Sequence, residues 1–225
     1  TQNLTCCVCM DALQMDNSTF NRMTCCGKGM HVHCDESVWG SKMSKAQKSR
    51  CPECRQKIPT SDEEAVKQVR EWVDKGKAWA EENLAGKYQN GKGVPQSYQA
   101  AIKYYNMAIK QGDPNAMYRL ATMYEHGLGV AKLFEKAAEL YVLAANQGHA
   151  SAQHNLGVLY ANGKGVAQSH EKSAALYTLA GNQGLAQSQT NLGILYIYGQ
   201  GVAQSTGMAR KWWLKAALQE NENAI

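Results

Sequence analysis

The residues best suited to chemistry in this chain are cysteines and histidines near its start. Two Cys-x-x-Cys pairs flank a central stretch, residues 25–34, which contains three further cysteines and two histidines. Thiolate sulfur and imidazole nitrogen are the donors that hold a structural zinc ion in a closed tetrahedron. Four ligand pairs can be drawn, enough for two zinc ions: Cys6 with Cys9, Cys25 with Cys26, His31 with Cys34, and Cys51 with Cys54.

The distribution of the cysteines bears on the redox compartment. All eight lie within the first 54 of 225 residues. A cluster of this kind also occurs in disulfide-stapled secreted modules. The Cys-x-x-Cys spacing, the interposed His31 and the long cysteine-free remainder favour zinc over disulfides. The sequence therefore predicts an intracellular protein, cytoplasmic or nuclear.

The front region is too poor in apolar side chains to fold on a core alone. Residues 1–59 contain only two aromatic side chains, Phe20 and Trp39. A domain this small usually needs metal or disulfides. A structural zinc ion supplies roughly 10–16 kcal/mol of apparent binding free energy that is also folding free energy. We expect metal to hold this region together.

Net charge and hydropathy argue against two classes of partner. The formal net charge is +5, and the basic residues are spread along the chain rather than clustered. The sequence contains no run of Lys and Arg interleaved with aromatic residues, the pattern that would indicate a nucleic-acid-binding groove. No apolar run approaches the roughly 20 residues that a membrane-spanning helix needs. The sequence predicts binding neither to nucleic acid nor to a membrane.

The order and spacing of the ligand pairs resemble a RING finger, a small α+β module stabilised by zinc. That family interleaves its pairs. The resemblance implies one zinc site from Cys6, Cys9, His31 and Cys34, and a second from Cys25, Cys26, Cys51 and Cys54.

The second zinc site departs from the family pattern in two ways. Cys25 and Cys26 are adjacent, whereas the family usually separates these ligands by one residue. Lys28 stands where many members carry a ligating histidine, and a protonated lysine cannot ligate. Cys7 or His33 could therefore replace one of the expected ligands.

The resemblance also implies a docking groove for a ubiquitin-conjugating enzyme. In RING ubiquitin ligases, residues matching Val8, Trp39 and Pro52 form a shallow apolar groove for that enzyme. Packing beneath the zinc loops is the simpler interpretation of Val8 and Trp39. Arg55 matches the residue that hydrogen-bonds the conjugating enzyme and ubiquitin together, a role that suits the planar fork of arginine. The alternative is an exposed arginine without a role.

Helical character begins after residue 59. Ser61 and Glu64 stand at the spacing of a capping box, and acidic residues fill the first turn. Apolar residues then follow at helical spacing: Ala65, Val66, Val69, Trp72 and Val73.

The remainder repeats with a period of 36 residues. The repeated positions are a Gly-x-Gly-Val motif, a leucine, a tyrosine, an alanine and an aromatic residue. They are Gly91, Gly127, Gly163 and Gly199; Leu84, Leu120, Leu156 and Leu192; Tyr88, Tyr124, Tyr160 and Tyr196; Ala108, Ala144, Ala180 and Ala216; and Tyr105, Tyr141, Tyr177 and Trp213. A fixed period of this length predicts a solenoid of stacked helical hairpins.

This pattern resembles Sel-1-like repeats, which are relatives of the tetratricopeptide repeat. The repeats are expected at about 77–112, 113–148, 149–184 and 185–220. One period before the first repeat, residues 60–76 resemble the second half of a degenerate unit, a capping half-repeat. The predicted organisation is a zinc-stabilised RING-like module over 1–59, this connecting helix, and an all-α solenoid over 77–225.

Positions that vary between repeats are free to recognise a protein or peptide. Arg119, His126, Asn155 and Tyr198 are such positions. The histidines His126, His149, His154 and His170 also vary, and we expect them at the surface rather than in catalysis.

Two functions fit these features. The first is a RING-type ubiquitin ligase, in which the front module recruits a charged conjugating enzyme and the solenoid binds the substrate. Such a protein acts by positioning and forms no covalent intermediate. The second is a non-enzymatic interaction scaffold with a structural zinc module.

Overall fold

The computed structural model describes the backbone of residues 20–22, 29–31 and 59–222, and the side chains of residues 59–218. In the front region, β1 (Phe20–Arg22) pairs with β2 (Gly29–His31) in an antiparallel hairpin. The register sets Phe20 opposite His31 and Arg22 opposite Gly29.

Residues 59–222 form nine α-helices and contain no strand. Their bounds are α1 (Asp62–Val73), α2 (Ala78–Asn90), α3 (Tyr98–Lys110), α4 (Pro114–His126), α5 (Phe134–Asn146), α6 (Ala150–Asn162), α7 (His170–Asn182), α8 (Ala186–Tyr198) and α9 (Thr206–Glu222). The all-α solenoid of helical-hairpin repeats expected from the 36-residue period is confirmed.

The chain divides into two compact units, Thr1–Gly112 and Asp113–Ile225. In the first unit, α2 and α3 form one hairpin, and α1 packs on α2. In the second unit, the hairpins are α4 with α5, α6 with α7, and α8 with α9. Each hairpin is one repeat, with a first helix that begins near an alanine or proline and a second helix that begins 20 residues later.

Glycine ends every first helix in the same way. Gly91, Gly127, Gly163 and Gly199 are the C-caps of these helices and adopt φ values between 64° and 73°. Glycine reaches this left-handed region without the steric cost that a Cβ atom adds. The chain can therefore reverse within a few residues and start the second helix.

The start of α1 carries the expected side-chain cap. The Ser61 hydroxyl accepts from the backbone N–H of Glu64 at 3.2 Å. The Glu64 carboxylate reaches back to the N–H of Thr60 at 2.8 Å, one residue further than in the standard capping box. Hydrogen bonding to Ser61 lowers the pKa of the neighbouring Glu63.

The core of each repeat consists of the residues that recur with the period. The four leucines and four alanines of the repeat are buried in every unit. Tyr105, Tyr141 and Tyr177 are buried as well, whereas Trp213 remains 39% exposed. Small alanines at the contact points let the two helices of a hairpin approach closely, so that leucine and tyrosine fill the space between them.

Candidate protein-interaction site

The residues that the sequence assigns to zinc and to the conjugating enzyme lie outside the described side chains. These are the eight expected ligands Cys6, Cys9, Cys25, Cys26, His31, Cys34, Cys51 and Cys54, the alternatives Cys7 and His33, and the expected groove and contact residues Val8, Trp39, Pro52 and Arg55. Only the backbone of His31 is described, at the end of β2. Among the side chains of residues 59–218, no group of three or more His, Cys, Asp or Glu could hold a metal ion.

The hairpin nevertheless bears on the expected zinc ligands. The segment that joins β1 to β2 comprises residues 23–28 and includes Cys25 and Cys26. His31 ends the second strand. A short antiparallel hairpin therefore carries one expected ligand pair in its connection and begins another pair at its far end.

The variable positions differ in their availability to a partner. Arg119 and His126 on α4 are exposed, and Tyr198 at the end of α8 is 70% exposed. Asn155 is different, because its side-chain N–H donates to the hydroxyl of Tyr141 at 2.9 Å. Asn155 is half-buried and takes part in the packing between helices, which leaves less of its side chain available to a partner.

A buried polar contact explains this role of Asn155. The Tyr141 hydroxyl donates to the Glu125 carboxylate at 2.6 Å while accepting from Asn155. Burial raises the pKa of Tyr141, and the Glu125 carboxylate raises it further. The tyrosine therefore stays protonated and serves as a structural donor rather than a catalytic base.

The prediction that all four histidines lie at the surface was wrong for three of them, because only His126 is exposed and His170 is half-buried. His149 is 9% exposed, caps α6 by accepting from the N–H of Ala152 at 3.1 Å, and stacks on Tyr118. The period offers a signal for this, because Asp113 caps α4 at the same repeat position. His154 is half-buried between the Tyr177 ring and the Ser188 hydroxyl, and burial lowers its pKa.

Large apolar side chains are exposed near the end of the second unit. We define the exposed apolar set as Ile194, Tyr198, Trp213, Leu214 and Leu218. The two members on α8 are four residues apart, as are the two leucines on α9, so each pair lies on one helical face. Of these, the sequence singled out only Tyr198 as a variable surface position, and it placed Trp213 among the repeated positions. Exposed leucines also occur earlier in the second unit, at Leu133, Leu143 and Leu179.

Trp213 illustrates why this surface is apolar. Its ring packs over Gly193, where a Cβ atom would lie 2.3 Å from Nε1, just as Tyr177 packs over Gly157. Its indole N–H donates to the Thr190 carbonyl at 3.1 Å. Within the described residues no later helix covers Trp213. The repeat position that is buried in the earlier repeats therefore stays accessible here.

The helices of residues 59–222 include none that is long and apolar enough to cross a membrane. Because exposed apolar side chains grouped on helical faces often mark protein contacts, the exposed apolar set is a candidate protein contact surface.

Four consecutive matches to the Sel1 repeat family cover residues 80–113, 114–149, 150–185 and 186–221. Among solved structures, c5321, a protective antigen present in uropathogenic Escherichia coli strains that displays an SLR fold, is 29% identical with a TM-score of 0.70. A Sel1 repeat protein from Oxalobacter formigenes is 35% identical with a TM-score of 0.68. Both similarities cover 74% of this chain, but only 36% and 48% of the respective relatives. Among curated proteins, none matches the chain.

Proposed function

Because the chain belongs to the Sel1 repeat family, we propose that its helical repeats form a scaffold that binds a protein or peptide partner. The observation that carries this proposal is the run of four helical-hairpin repeats that display exposed apolar side chains at their end. Helical repeat arrays bind proteins through such accessible faces. The described side chains offer no cluster of potential metal ligands that suggests chemistry of their own.

The front module extends this proposal to ubiquitin transfer. We propose that residues 1–59 bind two zinc ions through the eight ligands named above, with a structural role. The donor set of seven thiolates and one imidazole suits zinc, and the hairpin that carries Cys25, Cys26 and His31 fits a compact module. Thiolates remain available for zinc in a reducing compartment, so the proposed location is cytoplasmic or nuclear.

The proposed reaction is the aminolysis of a thioester between ubiquitin and a conjugating enzyme. The substrate amine attacks the thioester carbonyl carbon, an amide bond forms, and the enzyme's cysteine leaves as a thiolate while the amine loses its proton. Val8, Trp39 and Pro52 would hold the conjugating enzyme, and Arg55 would fix the orientation of ubiquitin. The chain itself would contribute proximity and orientation without a covalent intermediate.

A single-turnover discharge assay tests the ligase proposal. A panel of ubiquitin-charged conjugating enzymes is mixed with free lysine in the presence and absence of the chain, and the loss of thioester is followed. We expect faster discharge with at least one enzyme and at least a tenfold reduction with Arg55→Ala. Arg50→Ala is the matched control, because it removes the same charge one residue before Cys51.

A non-enzymatic scaffold is the second candidate function. The adjacent Cys25 and Cys26 and the lysine at position 28 favour it, because both depart from the pattern of active RING fingers. Absence of discharge with every conjugating enzyme in the panel, in a chain that contains zinc, would select the scaffold. Equal activity of Arg55→Ala and the unmodified chain would refute the role given to Arg55.

A further inference from the structure

Helix α1 begins in exact register with the repeats. The second helices of the four repeats start at Tyr98, Phe134, His170 and Thr206, each 36 residues after the last. α1 starts at Asp62, one period before Tyr98. Its start therefore corresponds to the second helix of a repeat, although no first helix is described before it.

A close backbone contact gives α1 the same neighbour as the other second helices. A Cβ atom on Gly93 would lie 2.3 Å from the carbonyl oxygen of Asp62, the first residue of α1. In the second unit, a Cβ atom on Gly165 would lie 2.2 Å from the carbonyl carbon of Phe134, the first residue of α5. A Cβ atom on Gly201 would lie 2.2 Å from the carbonyl carbon of His170, the first residue of α7. The loop of one repeat thus packs on the start of the preceding second helix, and α1 occupies that position in the first unit.

Side chains along α1 complete the contact with α2. Val66 and Val69 are buried against Ala80 and Leu84. Polar contacts flank this apolar cluster. Lys87 Nζ lies 3.0 Å from the Asp62 carboxylate, and the Arg70 guanidinium donates to the Tyr88 hydroxyl at 3.1 Å.

A missing hydroxyl marks where α1 differs from the second helix of a complete repeat. Val69 stands two periods before Tyr141, and Asn83 stands two periods before Asn155, which donates to the Tyr141 hydroxyl. Because valine has no hydroxyl, the Asn83 amide N–H has no hydroxyl at this position to donate to. Separately, its buried Oδ1 has no hydrogen-bond partner among the described residues. Helix α1 thus keeps the register of the second helices but lacks the hydrogen bond that Tyr141 makes with Asn155.

We propose that α1 is the second helix of an incomplete first repeat and joins the front module to the repeats as a fixed extension. Only seven residues, 55–61, separate Cys54 from α1. At most about 3.6 Å per residue, this segment holds the last expected zinc ligand within roughly 30 Å of the start of α1. A conjugating enzyme on the module would therefore be kept close to the first repeat. This consequence rests on the proposed ligase function, whereas the docking of α1 does not.

Hydrogen exchange of the full-length chain tests the docking. Gly93→Ala places a Cβ against the backbone of Asp62, and Gly165→Ala places an equivalent Cβ against the backbone of Phe134. Both glycines have nearly the same φ, 71° and 68°, so the local strain is matched. We expect Gly93→Ala to accelerate exchange of the α1 amides at least roughly tenfold, and Gly165→Ala to leave them unchanged.

A milder variant covers the case in which Gly93→Ala fails to fold. Val66→Ala removes buried methyl groups from α1 only, and it should accelerate exchange of the same amides in a folded chain. The proposal is overturned if the α1 amides exchange rapidly in the unmodified chain, or if neither Gly93→Ala nor Val66→Ala changes their exchange. The discharge assay described above keeps the two proposals apart, because its failure would leave the exchange result standing.

Discussion

At the level of single residues, hydroxyl and imidazole groups inside the repeats are structural. Tyr141 donates to Glu125 and accepts from Asn155, and both partners lie on first helices. Unit 1 contains the related contact between the Tyr105 hydroxyl and Gln89 at 2.7 Å. These bonds satisfy polar groups that the close packing of the hairpins would otherwise leave unpaired.

Removal of the Tyr141 hydroxyl should destabilise the second unit. Tyr141→Phe removes the hydroxyl that donates to Glu125 and accepts from Asn155, so both side chains lose a hydrogen bond. We expect the free energy of unfolding to fall by about 1–3 kcal/mol, as measured by urea denaturation. Tyr198→Phe is the control, because Tyr198 is 70% exposed and should change stability little. Equal effects of the two substitutions would contradict this assignment.

His154 should make stability depend on pH. Burial lowers the pKa of His154 in the folded chain, so the unfolded chain takes up a proton first as the pH falls. The free energy of unfolding should therefore be highest above about pH 6.5 and decline below it. His154→Gln should reduce this decline, whereas His126→Asn, at an exposed position, should leave it in place. Unfolding curves between neutral and mildly acidic pH, if identical for His154→Gln and the unmodified chain, would refute the contribution of His154.

At the level of elements, the loops between the two helices of a repeat set the distance between neighbouring hairpins of the second unit. The second glycine of the motif lies against the backbone of the preceding second helix, as Gly201 does on His170. The side-chain amide of Gln204 then bonds the carbonyl of Ile197 at 2.8 Å, and Gln96 and Gln168 make the same contact in their repeats. The backbone contact and the loop hydrogen bond together give the loops the same packing in these repeats.

A pair of alanine substitutions separates steric contact from backbone strain. Gly201→Ala combines a positive φ with a backbone clash, whereas Gly184→Ala has a positive φ and no atom within 4 Å. We expect Gly184→Ala to cost roughly 1–2 kcal/mol and Gly201→Ala about 1–3 kcal/mol more. Thermal or urea unfolding measures the difference. Equal losses would show that strain alone, and not the contact with His170, explains the glycine.

Much of the helical part can be predicted from the sequence, because a residue that recurs every 36 positions meets the same neighbours in every repeat. The buried leucines, the glycine C-caps and the Ser61 cap follow from this period and from helix chemistry. The burial of His154 and the pairing of Asn155 do not, because these residues vary between repeats. Their partners are on neighbouring helices, and a single sequence does not show those contacts.

At the level of the whole molecule, metal should support only the front region. A strong chelator should remove zinc and unfold residues 1–59, because their own apolar residues are too few to hold a fold. The helices of the repeats bury leucine, tyrosine and alanine and should keep their far-UV circular dichroism. Limited proteolysis followed by mass spectrometry locates the new cleavage sites. Unchanged protease resistance of the front region after chelation would contradict the prediction that zinc stabilises residues 1–59.

The most direct test of the account is the zinc content of the full-length chain purified under reducing conditions, together with the state of its cysteines. We predict about two zinc ions per chain, no disulfide bond, and a loss of zinc in Cys6→Ser and Cys51→Ser variants. A chain that folds without zinc, or whose cysteines are bonded to one another, would contradict the proposed module and the ubiquitin transfer that depends on it.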